Sequence, residues 1–181
     1  MSLMSYLELC DIVEQGVIAP VSHECINASS IDIHLGNEVI VESGGVCEFV
    51  DPHRRTNFHQ RVVDLRGDGY YMLRPGEFIL ANTVEVFNLP MDVSAEFRLK
   101  SSGARSGLNN LFACHCDPGW HGSTLTLELH NVLRWTAIKL TPGMAIGQML
   151  FHRHRVKVPE DRSYAARGRY NNDSNVSGVK E

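Results

Sequence analysis

Polar and apolar positions alternate along most of this chain, and the clearest helical period lies near its start. From Ser5 to Gln15, Leu7, Cys10 and Ile12 or Val13 recur at helical spacing. Ser5 and Glu8 make a capping-box pair, and Gly16 follows the last turn. After Pro20 the period shortens to two. The pattern predicts strands over Ile31–Leu35, Glu38–Val41, Val62–Asp64, Tyr70–Leu73, Phe78–Val84, Ser94–Leu99, Leu111–His115, Thr124–Asn131, Ile138–Leu140 and Ala145–His152. Gly36-Asn37, Gly44-Gly45, Gly67-Asp68-Gly69, Pro75-Gly76, Pro118-Gly119 and Pro142-Gly143 read as the turns between them. Many short strands with such punctuation predict a chain dominated by β-structure, a barrel or sandwich with a minor helical part.

The segment from Lys100 to Asn131 concentrates the candidate chemistry. Within its strand, Thr124, Thr126, Glu128 and His130 share one face, and Leu125, Leu127 and Leu129 share the other. The leucines suit a core, so Glu128 is expected on a rigid mount facing away from it, as an acid or base should be held. Upstream lie a serine pair between two basic residues, Lys100-Ser101-Ser102-Gly103-Ala104-Arg105, and the tight turn Asp117-Pro118-Gly119-Trp120-His121-Gly122.

Composition narrows the function classes. The 181 residues suffice for one domain with its own core. A net charge of -4 argues against a binder of nucleic-acid polymer held by bulk electrostatics, so a polyanionic ligand must be met by local basic groups. No apolar run reaches membrane-span length and no signal peptide is visible, so no membrane partner is expected. The five cysteines are odd in number and scattered, which favours a reduced, cytoplasmic protein over a disulfide framework. Cys114-His115-Cys116 could offer metal ligands but lacks a second C-x-x-C, and reads better as a small apolar pair in a strand. The chain divides into a domain over 1–158 and an arm over 159–181 that is rich in Arg, Asn, Ser and Gly. Composition makes that arm mobile, and its Tyr164, Arg167, Arg169 and Tyr170 could close over an anionic ligand.

Four segments, in order, resemble the dCTP deaminase branch of the dUTPase-like superfamily. They are L-C-D-I-V-E-Q-G-V-I-A-P with I-N-A-S-S-I-D-I-H-L-G, then L-R-P-G-E-F-I-L-A-N-T-V-E, the Lys100–Asn131 segment, and L-T-P-G-M-A-I-G-Q-M-L-F. The resemblance implies a distorted β-barrel or β-clip with an N-terminal helix and a flexible C-terminal arm. It also implies a homotrimer with sites at subunit interfaces, and hydrolytic deamination of dCTP to dUTP and ammonia. Glu128 matches the family's catalytic glutamate, the general acid and base on water; Ser101 and Arg105 match its other catalytic positions. The Asp117–Gly122 turn matches the nucleotide-binding turn, with Trp120 at the aromatic position against the deoxyribose, or else a core tryptophan. Lys100, Ser102, Gln148, Tyr164, Arg169 and Tyr170 fall where substrate contacts are expected.

The chemistry agrees with the residues. Zinc-dependent nucleobase deaminases carry H-x-E with P-C-x-x-C, and this chain has neither, so a zinc-free route through a positioned carboxylate is expected. Magnesium should arrive held mainly by the nucleotide phosphates. The match departs at three places. Asp117 and Glu128 stand one residue further apart than is usual, which requires a bulge near Cys116 or Gly122–Thr124. Gly103 and Ser106 replace aliphatic residues. The tail reads Arg169-Tyr170-Asn171-Asn172 where the family often has Lys-Tyr-Gln-Gly. Three alternatives stand beside the dUTP-forming reading: a bifunctional enzyme giving dUMP and pyrophosphate, a dUTPase, and a non-catalytic nucleotide-binding module.

Overall fold

The computed structural model describes residues 2–45, 47–111, 113 and 115–180. In chain order its strands are β1 (Ser2–Leu3), β2 (Ile18–Ala19), β3 (Ile31–Glu42), β4 (Gln60–Asp64), β5 (Tyr71–Leu73), β6 (Phe78–Asn88), β7 (Val93–Leu99), β8 (Leu108–Asn110), β9 (His115–Cys116), β10 (His121–Asn131), β11 (Ile138–Leu140) and β12 (Ala145–Arg153). Its helices are α1 (Tyr6–Glu14), α2 (Ser101–Arg105) and α3 (Tyr164–Arg167). The main sheet runs β8-β10-β6-β3-β12-β7-β9, with β1 on β12, β2 on β6 and β4 on β3; β5 and β11 form a separate ribbon. All these pairings are antiparallel. The expected β-dominated fold with an N-terminal helix is what the chain forms, its main sheet curled into a half-barrel.

Helix α1 starts as its sequence predicts. Ser5 caps it, and the Ser5 amide donates to the Glu8 carboxylate at 2.9 Å. The buried side differs from the expected stripe. Leu9 and Ile12 enter the core, whereas Leu7 is 72% exposed.

The sheet curls because its long strands are bulged. Ile31–His34 of β3 pair with β12, and Leu35–Val41 pair with β6. The expected turn at Gly36-Asn37 is absent: the strand continues through it with a register shift between Leu35 and Val39. Glycine is needed at 36 for closeness, since a Cβ there would lie 2.3 Å from Asn82 Oδ1. A second irregularity lies in β10 against β6, between His121 and Ser123, where Gly122 adopts φ 66°. That is one of the places where the Asp117–Glu128 spacing demanded a bulge.

The core forms where the curled sheet faces itself. Phe87, Phe97, Phe151, Ile31, Ile33 and Leu35 are fully buried there. Each such side chain contributes about 1.5–3 kcal/mol of transfer free energy. The predicted strand at Leu111–His115 is not one element: β8 ends at Asn110, β9 begins at His115, and Phe112 and Cys114 lie outside the described residues.

Candidate active site

Strand β10 mounts the candidate acid–base group as the alternation predicts. Leu125, Leu127 and Leu129 are buried, whereas Thr126, Glu128 and His130 are half-buried on the other face. Glu128 and Thr126 line a cavity of about 490 Å³, within the usual size range for small-ligand sites. Burial raises the Glu128 pKa above the ordinary glutamate value, opposed in part by a backbone hydrogen bond.

The Asp117–Gly122 turn forms another wall. Asp117 and Trp120 both line the cavity. Trp120 is 5% exposed and stacks on Phe87 with ring centroids 5.3 Å apart. It is therefore both a core tryptophan and a cavity wall, so the two readings of it were not exclusive. Asp117 is exposed, with its carboxylate 3.4 Å from His115 Nε2.

The C-terminal segment closes the far side. Trp120 Nε1 donates to the Tyr170 carbonyl at 2.8 Å, and Ser123 Oγ donates to the same oxygen at 2.6 Å. The Thr124 amide donates to the Asp173 carbonyl at 3.0 Å. Val176 is 7% exposed and packs with Ile40, Leu80, Phe58 and Phe78. Asn57 clips the chain end, donating to the Val179 carbonyl and accepting from its amide. Tyr164 and Tyr170 line the cavity. Arg169 is exposed and outside that lining.

The serine pair lies elsewhere in the chain. Ser101 opens α2, and Ser102 and Arg105 are exposed on it. None of the three lines the cavity, and no hydrogen bond or ion pair among the described residues joins Arg105 to Glu128. Lys100, expected at the triphosphate, holds Asp32 at 2.6 Å. Gln148 accepts from Ser30 Oγ at 3.3 Å and pairs in register with Asp32. The chain thus presents two separate surfaces. One is a mostly apolar cavity with a carboxylate, and among its described lining residues there is no lysine or arginine. The other is an exposed basic and hydroxyl surface on α2.

Sequence reasoning missed the loop before β4. Thr56, Asn57 and Phe58 line the cavity, and Phe58 meets Phe78 edge-on at 6.1 Å. That loop has no period to detect. A single Phe after three polar residues carried no signal.

A β-dominated half-barrel with a half-buried carboxylate beside an aromatic-walled cavity of small-ligand size defines a class of small-molecule enzyme scaffold. The comparisons narrow it. The family model described as dCTP deaminase-like matches residues 4–154, and the chain belongs to that family. It is similar to the dUMP-forming dCTP deaminases of Nocardioides sp. (36% identity; 91% of this chain, 85% of the relative) and Thermobifida fusca (38%; 91% and 83%). That of Methanopyrus kandleri matches at 34%, over 96% of this chain and 90% of the relative. Among solved structures, the 2′-deoxycytidine 5′-triphosphate deaminase of Agrobacterium tumefaciens superposes with a TM-score of 0.65 at 20% identity. The superposition covers 88% of this chain and 50% of that one, and this likeness is one of fold.

Proposed function

We propose that the protein converts dCTP and two waters to dUMP, pyrophosphate and ammonia. The observation that carries this reading is Glu128: a carboxylate with a burial-raised pKa, on a rigid strand, inside a cavity walled by Trp120. The dUMP-forming relatives favour the bifunctional outcome over release of dUTP, so the expectation of a dUTP product gives way to it.

In the deamination half, Glu128 takes a proton from water as it attacks C4 of the cytosine, then returns it to the departing nitrogen. Such acid–base work contributes about 10²–10⁴-fold. Its raised pKa suits a group that must both accept and give a proton near neutrality. Trp120 packs beneath the deoxyribose, and Tyr164 and Tyr170 bound the ligand from the tail. Asp117, at the rim, is the candidate to orient water for cleavage of the phosphate chain.

The triphosphate needs cations that the cavity does not carry. We assign Lys100, Ser101, Ser102, Arg105 and Gln148 to the site of a neighbouring copy in a homotrimer, with Arg169 closing from the tail. Ser101 would orient water, and Arg105 would offset charge that develops in the intermediate. The magnesium ion expected with the triphosphate fits a rim whose carboxylates are already engaged, Asp117 by His115 and Asp173 by Lys180 at 2.7 Å. Such an ion keeps phosphate and water ligands, and it would neutralise phosphate charge there. Separation of the products formed from dCTP, together with an ammonia assay, tests the reading. Ammonia with dUTP accumulating, or dUTP cleavage without deamination, would replace it.

A further inference from the structure

A second constellation of reactive groups lies outside the cavity. Glu85 sits in the irregular stretch of β6 and is 1% exposed. Its carboxylate accepts from the His34 amide at 3.0 Å and meets His34 Nδ1 at 2.7 Å. A carboxylate only accepts, so the proton of this contact sits on Nδ1 and the lone pair sits on Nε2. Nε2 faces the Cys25 sulfur at 4.0 Å, and Ser22 Oγ approaches the same sulfur at 3.3 Å. Cys25 is half-buried and unbridged. A thiol, an imidazole that can take its proton, and a buried carboxylate that fixes the ring are the parts of an activated nucleophile. None of the three lines the cavity beside Glu128.

We propose that Cys25 is a modification site, a thiol activated by the His34–Glu85 pair toward hydroperoxides. His34 Nε2 takes the thiol proton while the Ser22 hydroxyl, keeping its proton, hydrogen-bonds to the thiolate. The sulfur attacks the terminal peroxide oxygen; the S–O bond forms as the O–O bond breaks. The leaving oxygen takes the proton from His34 and departs as water or an alcohol. Sulfur is oxidised to sulfenic acid and the peroxide is reduced.

Cys47 supplies an internal reference, because it is exposed and its thiol only donates to the Phe49 carbonyl at 3.3 Å. The test follows each cysteine by mass spectrometry in the full chain at neutral pH. Iodoacetamide gives the alkylation rate, and hydrogen peroxide with dimedone traps the sulfenic acid. The expected result is alkylation of native Cys25 about tenfold faster than Cys47 despite its lower exposure. The two rates should converge in guanidinium, and the dimedone adduct should form on Cys25. His34→Gln should remove the advantage while Cys47 keeps its rate. A native Cys25 that reacts no faster than it does unfolded overturns the proposal. So does a folded His34→Gln variant whose Cys25 rate is unchanged. If that variant does not fold, the native-to-unfolded rate ratio of the parent decides.

Discussion

At the scale of single residues, Glu128 and Gly36 carry opposite lessons. Glu128 was legible because alternation along a strand is a strong constraint: three leucines on one face leave the carboxylate on the other. Glu128→Gln should lower the rate of ammonia release from dCTP by about 10²-fold or more while calorimetric dCTP affinity stays close to the parent's. The raised pKa also fixes a sign for stability. The folded chain binds the Glu128 proton more tightly than the unfolded chain does, so this group's contribution falls as pH rises from the ordinary glutamate value through the folded one. Thermal melts of Glu128→Gln should therefore exceed the parent's at neutral pH and converge with them in acid. Asp64 titrates in the opposite sense. Arg66 holds it at about 2, so its contribution is lost as pH falls from 3.8 through that value. Gly36 was misread because glycine beside asparagine signals a turn, while here it marks a close approach to Asn82. Gly36→Ala should cost about 1–3 kcal/mol in chemical denaturation.

At the scale of elements, local patterning recovered nearly every strand of three or more residues, but not how the strands bend. The pattern over 31–41 was read as two strands because its alternation breaks at Gly36-Asn37; the structure keeps one strand and absorbs the break as a bulge. The bulge expected near Gly122–Thr124 is present at Gly122. Helix α2 was hidden, since five residues with a glycine carry little helical period. The C-terminal segment, which composition reads as a mobile arm, carries contacts that composition does not show. Val176 enters a cluster with Ile40 and Leu80, and Asn57 holds Val179. One buried valine in a polar run gives no periodic signal. Val176→Asp should release this segment. Hydrogen exchange over residues 171–180 should rise about tenfold or more while β3, β6 and β10 keep their protection. Unchanged protection at 171–180 would mean that Val176 does not anchor the tail.

At the scale of the whole molecule, the fold sets the candidate residues on two separate surfaces. Sequence proximity placed Ser101, Arg105, Asp117 and Glu128 within one segment, but only Asp117 and Glu128 line the cavity, while Ser101 and Arg105 lie exposed on α2. The proposed homotrimer makes a sharp prediction. Glu128→Gln and Arg105→Ala should each be nearly inactive alone, whereas subunits of the two mixed and exchanged should recover about a quarter of the parent's active sites. A mixture no more active than its components, with exchange verified by mass, would place both residues in one chain's site or remove Arg105 from it.

The central claim, that Glu128 deaminates dCTP in a bifunctional site, meets its most direct test in one product analysis. The purified protein is given dCTP and magnesium, and ammonia, dUTP, dUMP and pyrophosphate are quantified over time. The account predicts ammonia, dUMP and pyrophosphate in equal amounts, without accumulation of dUTP. The absence of ammonia would contradict it.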